Sequence, residues 1–168
     1  AAGAEREFRA ACELSPRFTM AWMGLGMALR AESRLGDARE ALRQAVEQQP
    51  NSADPHFQYG QVLQMLGELQ PAIAEFKKAT RYQHADPNKW HHLAGALIAT
   101  GDDKGAREAL QRAVKEAPRS ERAHALLVMY HQNAGNQAAA REALSAWVEA
   151  LPGSIQGWAQ YGQLALSD

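Results

Sequence analysis

A single cysteine, Cys12, stands among 168 residues, so no disulfide can form within the chain. That scarcity does not discriminate between cytoplasm and periplasm. Charge of one sign is lacking too. Eighteen basic residues meet nineteen acidic ones, for a net charge of -1, and no long-range field draws the chain toward nucleic acid or an anionic membrane. The longest apolar run, around Leu93 to Ala99, is far shorter than the roughly 20 residues a membrane-spanning helix needs, so no membrane insertion is expected. The N-terminus lacks the basic-then-apolar order of a signal peptide.

Chemistry-bearing motifs are equally sparse. There is no glycine-rich phosphate loop, no nucleophile elbow and no paired-carboxylate motif. Six histidines raise the question of a metal. His91 and His92 are adjacent and point about 100° apart on a helix, while His124 and His131 share a face but lie about 10 Å apart along the axis. No cysteine or carboxylate completes a tetrahedral set at the usual spacing. Neither a metal nor another cofactor is expected, and Cys12 reads as a small buried residue.

What the chain does have is a period. The stretch from Trp90 to Pro118 reads Trp90, Leu93, Ala94, Leu97, Gly101, Ala106, Leu110, Ala113 and Pro118. Steps of 34 residues from Trp90 land on Trp22, His56, His124 and Trp158, each three residues before Leu25, Tyr59, Leu127 or Tyr161. From Trp22 through Leu25, Gly26 and Leu29, apolar or small residues recur at i, i+3, i+4 and i+7, the spacing of one helix face. The sequence therefore predicts an all-α solenoid of about ten helices, paired as antiparallel hairpins.

In chain order, residues 1–16 carry Ala4, Phe8, Ala11 and Pro16, which match Ala106, Leu110, Ala113 and Pro118; the chain opens on the second helix of a repeat. Full repeats are expected at 19–52, 53–86, 87–120 and 121–154, and residues 155–168 supply a further first helix with Trp158, Tyr161 and Gly162. Ser52, Asp86, Ser120 and Ser154 fall where helix starts need a side-chain acceptor. Gly67, Gly101 and Gly135 fall where a first helix should end in a left-handed residue. In the 19–52 repeat the glycine comes three residues late, at Gly36, which predicts a first helix that runs longer or ends loosely. Trp147 replaces a column alanine, either as a packing substitution or as a wedge between repeats.

These residues resemble the tetratricopeptide repeats. Trp22, Leu25, Gly26, Leu29, Ala38, Leu42, Ala45 and Pro50, with their equivalents, meet that family's pattern over essentially the whole chain. His56 and His124 depart from it for tryptophan, His84 for the closing proline and Trp147 for alanine. The resemblance implies a right-handed superhelix whose first helices line a concave, peptide-binding groove. Projecting each first helix onto the face opposite its packing residues gives the groove candidates Met20, Met23, Met27, Arg30, Phe57, Gln61, Gln64, Asn88, His91, Arg122, Met129 and Gln132, with Gln163 and Leu166 in the same rows. Methionine adapts to varied apolar partners, and glutamine bonds peptide backbone without selecting a charge.

Two subfamilies are argued against. The carboxylate clamp of chaperone-binding members would fall on Met23, Met27, Gln58, Asn88 and His92, or on Phe57, Gln61, His92, Arg122 and Leu126, and neither set is basic enough. The asparagine ladder of O-linked N-acetylglucosamine transferases would fall on Gly24, Gln58, His92, Leu126 and Gln160, none of them asparagine. The resemblance thus implies a non-catalytic segment of a larger bacterial protein that binds a peptide or protein. The alternatives are a recognition arm of an enzyme such as a glycosyltransferase, and a scaffold that self-associates end to end through its apolar terminal faces.

Overall fold

The computed structural model describes residues 2–165. Ten helices run α1 Ala2–Leu14, α2 Thr19–Ala31, α3 Leu35–Gln48, α4 Ala53–Met65, α5 Leu69–Tyr82, α6 Pro87–Ala99, α7 Asp103–Glu116, α8 Glu121–Asn133, α9 Gln137–Ala150 and α10 Ile155–Ala165. Among the described residues there is no strand. Helices α2 and α3, α4 and α5, α6 and α7, and α8 and α9 pair as hairpins, so the chain is an all-α helical-hairpin repeat. Contacts divide it into two compact units, residues 1–83 and 84–168.

Every full hairpin buries the same column. Ala38, Leu42 and Ala45 of α3, and Ala72, Phe76 and Ala79 of α5, are wholly buried beneath the first helix of their pair, as are Ala106 and Ala113 of α7. The first helix answers with a small residue. A Cβ at Gly60 would stand 2.7 Å from the Phe76 ring, and one at Gly26 would stand 2.4 Å from Leu42 Cγ. Close approach at these two sites sets the spacing of their hairpins.

The tryptophan-to-histidine departures have a physical account. Trp22 Nε1 donates to the Pro16 carbonyl at 2.8 Å, Trp90 Nε1 to His84 O at 2.5 Å and Trp158 Nε1 to Pro152 O at 3.0 Å. His56 Nε2 meets Pro50 O at 2.8 Å and His124 Nε2 meets Pro118 O at 2.9 Å. Since a carbonyl only accepts, each imidazole carries a hydrogen on Nε2 and replaces the indole N–H. The acceptor is a backbone oxygen, so His84 serves as well as proline does elsewhere.

Two expectations are corrected. Helix α2 does not run long: it ends at Ala31, and Ser33 adopts the left-handed conformation, φ +61°, beside +78° at Gly67, +79° at Gly101 and +68° at Gly135. The Arg34 N–H reaches Leu29 O at 3.0 Å, the same closing bond that Glu68, Asp102 and Asn136 make at 2.9 Å. Hairpin packing fixes the turn, and serine is forced into it; Gly36 lies inside α3. Ser52 likewise makes no side-chain capping bond, whereas Asp86, Ser120 and Ser154 do. Three residues after Ser52 stands Pro55, which has no N–H to offer.

Trp147 is a packing residue. It is fully buried, and its indole stacks on the His124 ring, with centroids 6.1 Å apart and planes 14° apart. The smaller ring at 124 leaves room that the larger one at 147 fills, and Gly157 lies against the indole, where a Cβ would come within 3.3 Å.

Candidate functional site

A cavity lies in the first unit, between α1 and α2, a cleft of about 700 Å³. Its α2 wall is Met20, Met23, Gly24, Met27 and Ala28, and its α1 wall is Ala4, Glu7, Phe8 and Ala11, with Phe18 at one end. The three methionines are there because α2 turns Leu25 and Leu29 toward α3 and so presents the offset positions 20, 23 and 27 on another face. Met20 is 60% exposed and Met27 42%. The Phe8 ring rests on the α2 backbone at Gly24, where a Cβ would approach it to 2.3 Å. The α1 wall was not among the projected groove residues, because the projection used first helices only. Its signal was nonetheless visible in Phe8 and Ala11, the apolar face of a second helix.

One turn beyond Met27, Arg30 Nη1 donates to Gln58 Oε1 at 3.0 Å and to Gln61 Oε1 at 2.5 Å. Among the described residues Arg30 has no carboxylate partner, so a fixed positive charge is held by two neutral amides. Phe57 is drawn onto Phe76 of its own hairpin, with ring centroids 6.0 Å apart, and does not line the cleft; Gln64 is half-buried.

The remaining candidates belong to the second unit. Asn88, Arg122, Met129 and Gln132 are exposed, as is Gln163, and Leu166 lies outside the described residues. His91 is half-buried against His92, with rings 5.8 Å apart. Burial pushes its imidazole below the ordinary value, and the charge of Arg122 acts in the same direction.

Among the described residues no cluster of histidine, cysteine, aspartate and glutamate could hold a metal. The Cys12 thiol is buried, and that burial raises its pKa, the reverse of what a nucleophile needs. His56 and Glu75 form a histidine–carboxylate contact of 2.5 Å, but both are buried and the other ring nitrogen is committed to Pro50 O.

Comparison with known proteins bears on the family and the fold. Three family models described as tetratricopeptide repeat match residues 1–53, 29–97 and 87–129. A probable biofilm formation methyltransferase of Pseudomonas putida, WspC, is 33% identical over 85 residues, 51% of this chain and 20% of that protein. The human protein O-mannosyl-transferase TMTC3 is 24% identical over 163 residues, 94% of this chain and 18% of that protein. The chain thus spans about a fifth of the length of either relative.

Among solved structures, MamA superposes with a TM-score of 0.73 at 21% identity, over 88% of this chain and 86% of that one. YrrB, a TPR protein with an unusual peptide-binding site, superposes with a TM-score of 0.67 at 22% identity, over 95% and 82%. With ten helices in 34-residue register, ring N–H groups tied to the preceding loop, and models of one family matching from residue 1 to 129, this chain belongs to the tetratricopeptide repeat family.

Proposed function

We propose that this chain is a non-catalytic protein-interaction scaffold and that the methionine-lined cleft between α1 and α2 is where it docks an apolar segment of a partner protein. The observation that carries the reading is the cleft itself. Met20, Met27 and Phe8 present exposed apolar surface in one concave place, and concave apolar surface on an otherwise charge-balanced protein is where partners dock. Arg30, fixed by Gln58 and Gln61, offers a carboxylate or carbonyl of the partner a donor one turn away.

The test is capture of partners by the chain and by a Met20→Asp, Met27→Asp variant, both substitutions being at exposed positions. The expected result is a partner retained by the native chain and lost by the variant, with circular dichroism unchanged. Identical catches would remove the cleft from the function.

A second reading, a recognition arm within a larger transferase, is favoured by one observation: both curated relatives carry transferase names and are about five times longer than the matched region. The gene surrounding this stretch separates the two, since an adjoining transferase domain is required by one and not by the other.

A further inference from the structure

Resting on the reading of this chain as a protein-interaction scaffold, we infer that Arg30 is the receptor for one acidic side chain of the docked segment, whose carboxylate it takes side-on through Nε–H and Nη2–H.

Two amides decide which edge of the guanidinium is offered. Gln58 and Gln61 stand three residues apart on α4, and both turn Oε1 to the same nitrogen, Arg30 Nη1, at 3.0 and 2.5 Å. That nitrogen carries two hydrogens, so the two bonds use it up. Among the described residues Arg30 Nε and Nη2 make no hydrogen bond. These two nitrogens form one edge of the planar group, and their parallel N–H groups match the two oxygens of a carboxylate. A carbonyl would engage only half of that edge. The glutamines leave the charge uncompensated, since an amide carries none. The acidic residues nearest in sequence, Glu32 and Asp37, both pair with Arg34.

The second unit shows that packing does not call for this arginine. Two repeats further on, the positions of Arg30, Gln58 and Gln61 are held by Ile98, Leu126 and Met129. Helices α6 and α8 are in contact there as α2 and α4 are, with no charge between them. Ile98 is nonetheless 46% exposed and Met129 44%, so the place opens onto the surface in both units. Nor does access to Arg30 depend on what precedes α2. Gln132 lies in the same row on α8 and is exposed with α6 packed ahead of it. A cation thus stands, partly desolvated, where an apolar residue serves equally well, and a carboxylate partner returns the interactions it has lost.

The same burial selects the source of the carboxylate. Arg30, Gln58 and Gln61 are all half-buried, so the anion must reach in on a stem. An aspartate or glutamate supplies one, whereas a chain end brings its own backbone into the site.

The probes are three acetylated tripeptides: Ala-Glu-Ala amide, Ala-Gln-Ala amide and Ala-Gln-Ala with a free terminal acid. Binding to the intact chain is followed by NMR titration of the Arg30 Nε–H signal and of the Gln58 side-chain amide. The glutamate amide is expected to bind about tenfold or more tightly than either glutamine peptide, since a hydrogen bond to a charged group is the stronger kind. Arg30→Ile, which installs the residue the chain carries at 98, should keep its circular dichroism and bind the glutamate and glutamine amides equally. Arg30→Lys keeps the charge without the planar edge and should lose much of the preference. Equal binding of the two amides by the native chain would overturn the inference, as would a preference that survives in Arg30→Ile. Free-acid peptide binding as well as the glutamate amide would overturn the assignment to a side chain. If Met20→Asp, Met27→Asp loses a partner while the native chain shows no preference for glutamate, the scaffold reading stands and the carboxylate site falls. The reverse pattern sustains the carboxylate site and removes the cleft.

Discussion

Residues 1–83 hold their helices with side chains that reach across to a neighbouring helix, whereas residues 84–168 rely more on side chains that fold back onto a helix's own first turn. In the first unit Arg34 reaches Glu5 of α1 at 2.9 Å, Arg39 reaches Glu68 at 2.9 Å, Arg30 bonds two glutamines of α4, and His56 of α4 meets Glu75 of α5. The residues at its helix starts, Phe18, Arg34, Ser52 and Glu68, make no side-chain capping bond. In the second unit Asp86, Asp102, Ser120, Asn136 and Ser154 all do. The reason is visible in the residues. Phe18 and Arg34 bear no acceptor, and Ser52 and Glu68 stand three residues before Pro55 and Pro71, which have no N–H to cap. Cross-helix bonds specify which helix lies beside which, while caps stabilise each helix by itself; the two units divide these roles.

The largest expected break falls in the second unit. Trp147→Ala should cost about 3–5 kcal/mol, because the indole is fully buried and its removal leaves a cavity against His124. Trp147→Phe should cost less than about 1.5 kcal/mol, since it keeps most of the stacking and removes an indole N–H that is buried without a partner. Urea unfolding of both variants checks this. Equal losses would mean that the N–H, not the ring volume, holds the site.

Next is the buried polar cluster of the first unit. Burial pushes the Glu75 carboxyl up, but hydrogen bonds from His56 and Lys78 outweigh it and leave the group below its ordinary value of 4.5. Glu75→Gln should cost roughly 1–3 kcal/mol, the penalty for leaving the buried His56 nitrogen poorly matched. A depressed carboxyl binds its proton more weakly folded than unfolded. Its stabilisation is complete above pH 4.5 and is lost as the pH falls below that through the folded value.

The second unit differs in this respect. Burial holds the His131 imidazole below 6.5, reinforced by Arg107 and opposed by Glu142. By the same sign, its contribution fades as the pH falls below about 6.5. Amide exchange should therefore show residues 84–168 losing protection once the pH falls below about 6.5, while residues 1–83 hold until below 4.5. The opposite order would contradict the assignment of these groups.

Caps come third. Asp102→Ala should cost about 1 kcal/mol, since its carboxylate accepts from the Gly105 N–H at 2.8 Å. Glu68→Ala at the corresponding position should cost about half that or less, because only the exposed pair with Arg39 is lost. Thermal unfolding of the two alanine variants compares the units directly, and equal losses would erase the distinction drawn above.

Much of this was legible in the sequence because the 34-residue column is a packing constraint, and packing writes itself as apolar and small residues at fixed spacing. The fold class, the hairpin pairing and the presence of Met20, Met23 and Met27 on a separate face of α2 follow from periodicity alone. The α1 wall of the cleft did not follow from the groove projection, which used first helices only, although Phe8 and Ala11 were already marked as an apolar face. The equivalence of histidine and tryptophan also escaped a reading by residue type. What the position requires is a ring N–H aimed at a carbonyl six residues back, a property the two side chains share and an alignment by shape does not display.

The last case is Ser33, where a strict reading of residue type misled. Glycine marks the left-handed turn in three hairpins, so its absence at 33 suggested a different helix end, yet the backbone there has φ +61° and the same closing bond. Burial of Leu29 and Leu42 on either side holds the turn in place, and a Cβ is carried into a region that costs about 1–2 kcal/mol for an ordinary residue. Ser33→Gly removes that strain but adds backbone entropy to the unfolded chain, worth roughly 0.5–1 kcal/mol in the other direction. The net expectation is a gain of about 0.5–1 kcal/mol, read as a higher denaturation midpoint with an unchanged slope. Ser33→Ala, which keeps the Cβ, should show no such gain. If alanine stabilised as much as glycine, the strain would lie in the serine hydroxyl rather than in the backbone, and the first unit's turn would no longer be the strained counterpart of the other three.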